Sequence, residues 1–377
     1  MNDISGQPDP VSSADKASQS SIISPPKIRA VWIVSPKTLE MLSRALNPLA
    51  VGLTDELIEL IAVCPQDTDV RDLPTPPVEL ISHAPIRRFL WAKRSIESLT
   101  AEIKSRKVQL VHALDAGSLR IARTVARDLD LPYIVSCWGM GDARRVGNLN
   151  DAAAVLAGGK AIRQGLLAHK VALVENIHLV RPGVHQVHHT KSLDENQHSI
   201  AIIAGGDMSR FESFAAVLES FAELRRSKHE CIFFLIGSGR MEKRLRARVE
   251  QLHLRHDVTF VDCVGGWQLP GILKSADICI SPVGDQAIDM LALLGMAGGI
   301  PVFAPVSSSC DFLIDGKTAL LFKRGDASEL TVKLRALLDD KRAGRELAQS
   351  ALNYLGEHHS PAGMVSAVTR IYRQAVL

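Results

Sequence analysis

The sequence predicts an α/β protein built from two doubly wound, Rossmann-like domains. Three observations lead there. The chain has 377 residues, more than one core usually carries. Short apolar, β-rich runs alternate with helical stretches, the pattern of parallel strands joined by right-handed crossovers. The alternation breaks once, at Arg181-Pro182-Gly183 and the His-, Ser- and Asn-containing run to His198, and then begins again.

The first half opens with a strand over Ile28–Ser35, followed by strands over Leu57–Cys64, Val108–Ala113 and Pro132–Cys137. Between the last two, Leu119, Ala122, Val125 and Ala126 fall on one helical face. The rhythm continues through Ala153–Ala157, a helix near Lys160–Ala168 and a strand over Val171–Val174. The stretch Pro36–Ala50 reads as a loop without glycine.

The second half begins with the strand Ser199–Gly205 and the helix Ser213–Arg226, whose Phe214, Val217, Leu218, Phe221 and Leu224 form one stripe. Strands follow at Cys231–Ile236, Val258–Val261, Ile278–Ser281, Pro301–Ala304 and Ala319–Phe322. Helices are expected at Met241–Leu252, Pro270–Ser275, Asp289–Ala297 and Ala327–Leu338. A last helix, Ala362–Val376, follows the break at His359-Ser360-Pro361 and is placed to cross back to the first domain. The expected division is a disordered tail over 1–25, a first domain over 26–180, a linker over 181–198, a second domain over 199–358 and the crossing helix over 359–377.

Composition narrows the function. A net charge of +3, with 23% charged and 46% hydrophobic residues, excludes a nucleic-acid binder held by bulk charge. The six cysteines are scattered with no C-x-x-C pair, so they read as small apolar residues rather than a zinc site or disulfide frame. His185, His188 and His189 have no acidic or thiol partner at ligand spacing, and there is no G-x-S-x-G elbow. The uncharged run Met290–Cys310 is broken by Gly295, Gly298, Gly299, Pro301 and Pro305, which argues against a membrane span. The tail lacks the apolar stretch of a signal peptide, and a cytoplasmic location is expected.

Two glycine turns carry the chemical signal. Ala204-Gly205-Gly206 and Gly237-Ser238-Gly239 each join a strand to a helix, where free backbone N–H groups and a positive dipole end suit phosphate. Glycine at either turn alone is equally well explained by backbone conformation.

Several segments, in order, resemble the GT-B glycosyltransferases of the family-4 type, the group 1 glycosyl transferases: IAIIAGGDMSRFESFAAVLESFAEL, FFLIGSGRMEKRL, ADICISP, GMAGGIPVFAP and FLIDGKTALLF, with VQLVHALD and LPYIVSCWG in the first half. The likeness covers roughly Arg29–Leu377. It implies two domains facing each other across a cleft, a nucleotide-sugar donor on the second, a glycan or lipid-linked acceptor on the first, and transfer with retention. No cofactor is implied, the nucleotide sugar being a substrate, and no metal is needed if helix ends and arginines carry the diphosphate. On this resemblance Gly205, Gly206, Arg210, Gly237, Ser238, Gly239 and Arg240 lie near the phosphates, Val264 and Gly265 near the base, and Gln286 and Asp289 near the sugar. Trp138, Gly139 and Asp142 fall on the acceptor side, the tryptophan either lining the cleft or joining the core. No catalytic residue is assigned.

The chain departs from the family at four donor contacts. Asp207 and Glu212 stand where the family carries an arginine and a lysine, and Gln286 and Leu294 where it carries two glutamates. A departing nucleoside diphosphate gains negative charge, so two carboxylates there turn attraction into repulsion. Leu294 accepts no hydrogen bond. Arg210 and Arg240 are the nearest compensating cations, with solvated surface residues as the plainer reading. These departures leave a rival, a non-catalytic relative acting as a binding or assembly partner, and a weaker third reading, a GT-B-fold sugar epimerase. The basic, aromatic segment with Arg87, Arg88, Trp91, Lys93 and Arg94 reads as a solvated helix face or as a peripheral membrane contact at the inner face of the membrane.

Overall fold

The structure is a computed structural model that describes residues 26–69, 71, 78–84, 92–187, 193, 199–227, 229–262, 268–283, 288–307 and 309–377. The expected tail, much of the linker, and Arg87, Arg88, Trp91, Cys263, Val264, Gly265 and Gln286 lie outside these residues, as does the Lys93 side chain.

The first domain is a seven-stranded sheet in the order β3-β2-β1-β4-β5-β6-β7. Its strands are β1 (Ile28–Ile33), β2 (Ile58–Pro65), β3 (Glu79–His83), β4 (Leu110–Ala113), β5 (Tyr133–Cys137), β6 (Ala154–Ala157) and β7 (Ile177–Leu179). The second is a six-stranded sheet ordered β10-β9-β8-β11-β12-β13. It comprises β8 (Ile200–Gly205), β9 (Cys231–Ile236), β10 (Val258–Val261), β11 (Ile278–Ile280), β12 (Val302–Pro305) and β13 (Leu320–Phe322). Every strand pairing within the two sheets is parallel. Parallel sheets need both faces covered, and the helices do this.

In the first domain the helices are α1 (Pro36–Asp55), α2 (Ala92–Ser105), α3 (Leu119–Leu129), α4 (Asp142–Val146) and α5 (Lys160–Ala168). In the second they are α6 (Phe211–Arg226), α7 (Glu242–Gln251), α8 (Leu269–Leu273), α9 (Met290–Ala297), α10 (Ala327–Asp339) and α11 (Lys341–His358), followed by α12 (Pro361–Val376).

Three sequence expectations need correction. The stretch after β1 is a helix of 20 residues rather than a loop. Leu39, Leu42, Leu46, Leu49 and Leu53 recur every three or four positions and are all buried, and Ser35 caps the first turn by accepting from the Thr38 N–H. The strand expected at Val171–Val174 is displaced to β7, because Leu173 and Val174 are exposed and lead into a 3-10 turn over Val174–Asn176. Strand β3 is an addition to the expected set, since among its residues only Ile81 is buried, too little for an alternating signature.

Helix α12 leaves the second domain and packs against α1. Its Tyr372 is fully buried and joins a polar chain under the first sheet. The Trp32 indole N–H donates to the Tyr372 hydroxyl at 2.7 Å, and that hydroxyl lies 2.6 Å from His112 Nδ1. His112 Nε2 lies 2.9 Å from Ser136 Oγ. An indole only donates, so the hydroxyl proton goes to Nδ1 and Nε2–H donates onward to Ser136. Burial pushes the His112 pKa down to about 3, which keeps the ring neutral.

The two domains also meet around Asp311. Its carboxylate pairs with Arg181 at 2.6 Å and accepts from the Lys160 N–H, in the first turn of α5, at 3.3 Å. The Ile288 N–H donates to the Trp138 carbonyl at 2.9 Å, and the Val184 N–H to the His359 carbonyl at 2.9 Å.

Candidate functional site

The two glycine turns follow β8 and β9, which are neighbours in the sheet, and they are stitched together by backbone hydrogen bonds. Gly206 N–H donates to the Ile236 carbonyl at 3.1 Å, Met208 N–H to Ser238 at 3.0 Å, and Met241 N–H back to Met208 at 3.0 Å. Met208 is fully buried and anchors the pair. Glycine is required at two of these positions: Gly206 has φ +138° and Gly237 φ +123°. A Cβ on Gly237 would overlap the Gly206 carbonyl oxygen, and one on Gly239 would come within 2.5 Å of the Met208 carbonyl carbon. Gly205 is closed in by Leu291 of α9, whose Cδ2 would lie 2.9 Å from an added Cβ.

The loop pair feeds two helix N-termini, those of α6 and α7. Neither has a side-chain cap: Arg210 and Met241 occupy the N-cap positions without accepting a hydrogen bond. By contrast, Asp289, Asp326 and Asp340 cap α9, α10 and α11 of the same domain. The backbone N–H groups of Asp207, Ser238, Gly239 and Arg240 bond to none of the described residues. Uncapped helix starts beside unpaired loop amides have the chemistry that suits an anion.

The charges follow. Arg210 is half-buried and Arg240 exposed, and neither pairs with a carboxylate among the described residues. Asp207 is turned inward on its own loop, its Oδ1 accepting from the Ser209 N–H at 3.0 Å and from the Ser209 hydroxyl. Glu212 is exposed in the first turn of α6. One cation was missed in the sequence: Arg244 lies 3.9 Å over the ring of Phe211, the residue after Arg210. The only sequence signal for it was its position one turn into a basic helix.

Asp289 corrects the expectation of a carboxylate free to meet a sugar. Its Oδ1 accepts from the Ala292 N–H at 2.9 Å and its Oδ2 from the Ser281 hydroxyl at 2.6 Å. Burial raises its pKa, against the lowering effect of these bonds. Leu294 faces a different space. It lines an apolar cavity of about 710 Å³ between α1, α8, α9 and α12, together with Pro48, Val51, Leu273 and Val365. None of the glycine-turn residues line that cavity.

On the first domain, the Trp138 ring packs inside rather than lining an open cleft. It is 4% exposed, donates its indole N–H to the Leu114 carbonyl at 2.7 Å, and abuts Gly158. Asp142 holds the turn after β5 by accepting from the N–H groups of Trp138 and Gly139 at 2.9 and 2.8 Å. Burial raises the Asp142 pKa, opposed by those two bonds. Trp138, Gly139 and Asp142 thus form one rigid turn at the C-terminal end of β5. Among the described residues no group of three or more His, Cys, Asp or Glu side chains is placed to hold a metal, and no helix is long and apolar enough to cross a membrane.

Residues 199–340 match the family described as Glycosyl transferases group 1. The sulfoquinovosyl transferase SQD2 of Arabidopsis thaliana is 28% identical over 120 residues, which is 31% of this chain and 23% of that protein. The chain therefore spans under a quarter of that curated relative's length. Among solved structures, a glycosyltransferase from Rickettsia africae superposes with a TM-score of 0.76 at 14% identity, covering 93% of this chain and 99% of that one. Anabaena Alr3699/HepE, solved with UDP and glucose, gives 0.74 at 13% identity, covering 92% and 99%. The chain has the GT-B fold, and its second domain carries the group 1 glycosyltransferase signature.

Proposed function

We propose that the protein is a glycosyltransferase that takes a nucleotide-sugar donor on its second domain and transfers the sugar, with retention, to a glycan or lipid-linked acceptor held on its first. The observation that carries this reading is the pair of uncapped helix starts, α6 and α7, meeting at the stitched glycine turns. Unsatisfied amides at both ends, with Arg210, Arg240 and Arg244 around them, supply the positive potential that a leaving diphosphate needs. Backbone dipoles do this without the arginine and lysine that Asp207 and Glu212 replace.

In this mechanism the donor diphosphate sits across the Gly206–Arg210 and Gly237–Arg240 turns. The loop amides hold it in the ground state and strengthen as charge develops on the leaving oxygen. Leu294, turned into the apolar cavity between α1, α8, α9 and α12, supplies no ribose contact, so nucleoside recognition lacks that hydrogen bond and the binding rests more on the diphosphate. The Asp142-clamped turn at Trp138–Gly139 positions the acceptor side.

Asp207 and Glu212 favour the second reading, a non-catalytic relative that binds or assembles with a partner. A panel of nucleoside diphosphates and nucleotide sugars in thermal shift, followed by a donor-hydrolysis and glycan-acceptor screen, separates the two. Donor turnover establishes the transferase. Stabilisation without turnover across the screen supports the non-catalytic relative, and no stabilisation at millimolar nucleotide removes the donor site itself.

A further inference from the structure

A second concave surface lies on the first domain, away from the glycine turns. It is a cavity of about 550 Å³ between α3, α4 and the start of β5. Helix α3 lines it with Arg120, Arg123 and Arg127, spaced three and four apart on a face that adjoins its buried Leu119 and Ala126, and Asp130 just after the helix also lines it. Arg145 of α4 closes the other side.

The four guanidinium groups are not equally satisfied. Arg123 is held by Asp151 through two bonds of 2.9 and 2.7 Å, and Tyr133 donates to the same carboxylate at 2.7 Å. Among the described residues Arg127 pairs with its neighbour Asp128, at 3.1 Å. Arg120 meets no carboxylate among the described residues. Arg145 reaches Asp142 only at 4.0 Å, and the other oxygen of Asp142 is taken by the Trp138 and Gly139 amides. Two exposed, under-neutralised guanidinium groups therefore face one hollow, while Arg123 and Asp151 give it a fixed wall. The planar fork of arginine matches the oxygens of a phosphate group.

We propose that Arg120 and Arg145 form a phosphate subsite on the first domain that receives a phosphate-bearing acceptor. The acceptor assignment rests on the transferase reading, because Arg145 lies one turn from the Asp142 that clamps the Trp138–Gly139 turn. Phosphate binding itself does not rest on it. The phosphate can come from a soluble acceptor or from a lipid headgroup.

The test uses the full chain with UDP in excess, so that the glycine turns are occupied, and titrates inorganic pyrophosphate by calorimetry. A parallel arm measures cosedimentation with phosphatidylglycerol vesicles and with phosphatidylcholine vesicles. Arg120→Glu with Arg145→Glu is compared with a control of equal charge change, Arg255→Glu with Lys274→Glu, on the second domain. Arg120→Gln with Arg145→Gln serves as a milder variant should the charge reversal disturb folding. The expected result is millimolar or tighter binding, weakened at least tenfold by the Arg120 and Arg145 variants and less than twofold by the control. Pyrophosphate binding marks a soluble source, and binding only to phosphatidylglycerol vesicles marks a headgroup. No binding in either arm, or equal weakening by the control, overturns the subsite. Failure of UDP to bind would count against the donor site while leaving the Arg120 and Arg145 comparison fully readable.

Discussion

Tyr372 and Trp32, 340 residues apart, share a buried hydrogen bond of 2.7 Å that ties the last helix of the chain to the first strand. The same hydroxyl contacts His112, so removing it strands a donor and an acceptor together. Tyr372→Phe is expected to destabilise the protein by about 2 to 6 kcal/mol, because each of the two buried orphans costs roughly 1 to 3 kcal/mol. Urea denaturation followed by Trp fluorescence checks this; an unchanged midpoint would show that the chain of bonds contributes little.

Acid should unfold the protein through its buried histidines. Burial lowers His112 to about 3 and His359 to about 4, both below their ordinary value of 6.5. Their contribution is fully present above pH 6.5 and is lost as pH falls toward those values. Asp142 and Asp289, raised by burial, act in the opposite direction as they protonate. The thermal midpoint should decline from pH 6.5 to 4.5, with a free-energy slope of up to about 1.4 kcal/mol per pH unit for each histidine. His112→Asn should remove about one proton from that slope. A midpoint flat over this range would contradict the assignment of neutral buried rings.

The stitched turns leave no room for a side chain at Gly237. Gly237→Ala should cost about 1 to 3 kcal/mol in backbone strain, in addition to the overlap with the Gly206 carbonyl, and should abolish nucleotide binding. Gly141→Ala, where an added Cβ meets nothing within 4 Å, should be tolerated. Calorimetric titration with UDP, alongside thermal midpoints, compares the two; equal UDP affinity in both variants would detach the turn from the ligand.

Asp207 and Glu212 flank the loop that would hold the diphosphate. Neutralising both, as Asp207→Asn with Glu212→Gln, should tighten UDP about tenfold at low salt, with the gain shrinking as salt rises. The side-chain amide introduced by Asp207→Asn keeps an oxygen for the Ser209 N–H, so the loop should keep its shape. Weaker binding in this variant would mean that the carboxylates act as ligands and do not repel.

Much of the fold was legible in the sequence because parallel strands buried on both faces make short apolar runs, such as Cys231–Ile236, that few other elements imitate. Helix α1 was not, because Pro48 inside it is a helix breaker that obscures the leucine spacing. The donor side was legible as two glycine turns, while their interlocking depends on the adjacency of β8 and β9, which only the sheet order reveals. Asp289 and Trp138 show the limit most plainly. Residue type offered Asp289 as a sugar contact and left Trp138 open between cleft and core; the structure uses Asp289 to cap α9 and buries Trp138 against Gly158. Arg244 gained meaning only from its place over Phe211.

The central claim is that the joined turns hold a diphosphate with the help of Arg210 and Arg240. Calorimetric titration of UDP into the wild type and into Arg210→Ala with Arg240→Ala tests it most directly. The account predicts submillimolar binding to the wild type and at least a tenfold loss in the double variant. No wild-type binding at millimolar UDP, or an affinity that the double substitution leaves unchanged, would contradict it.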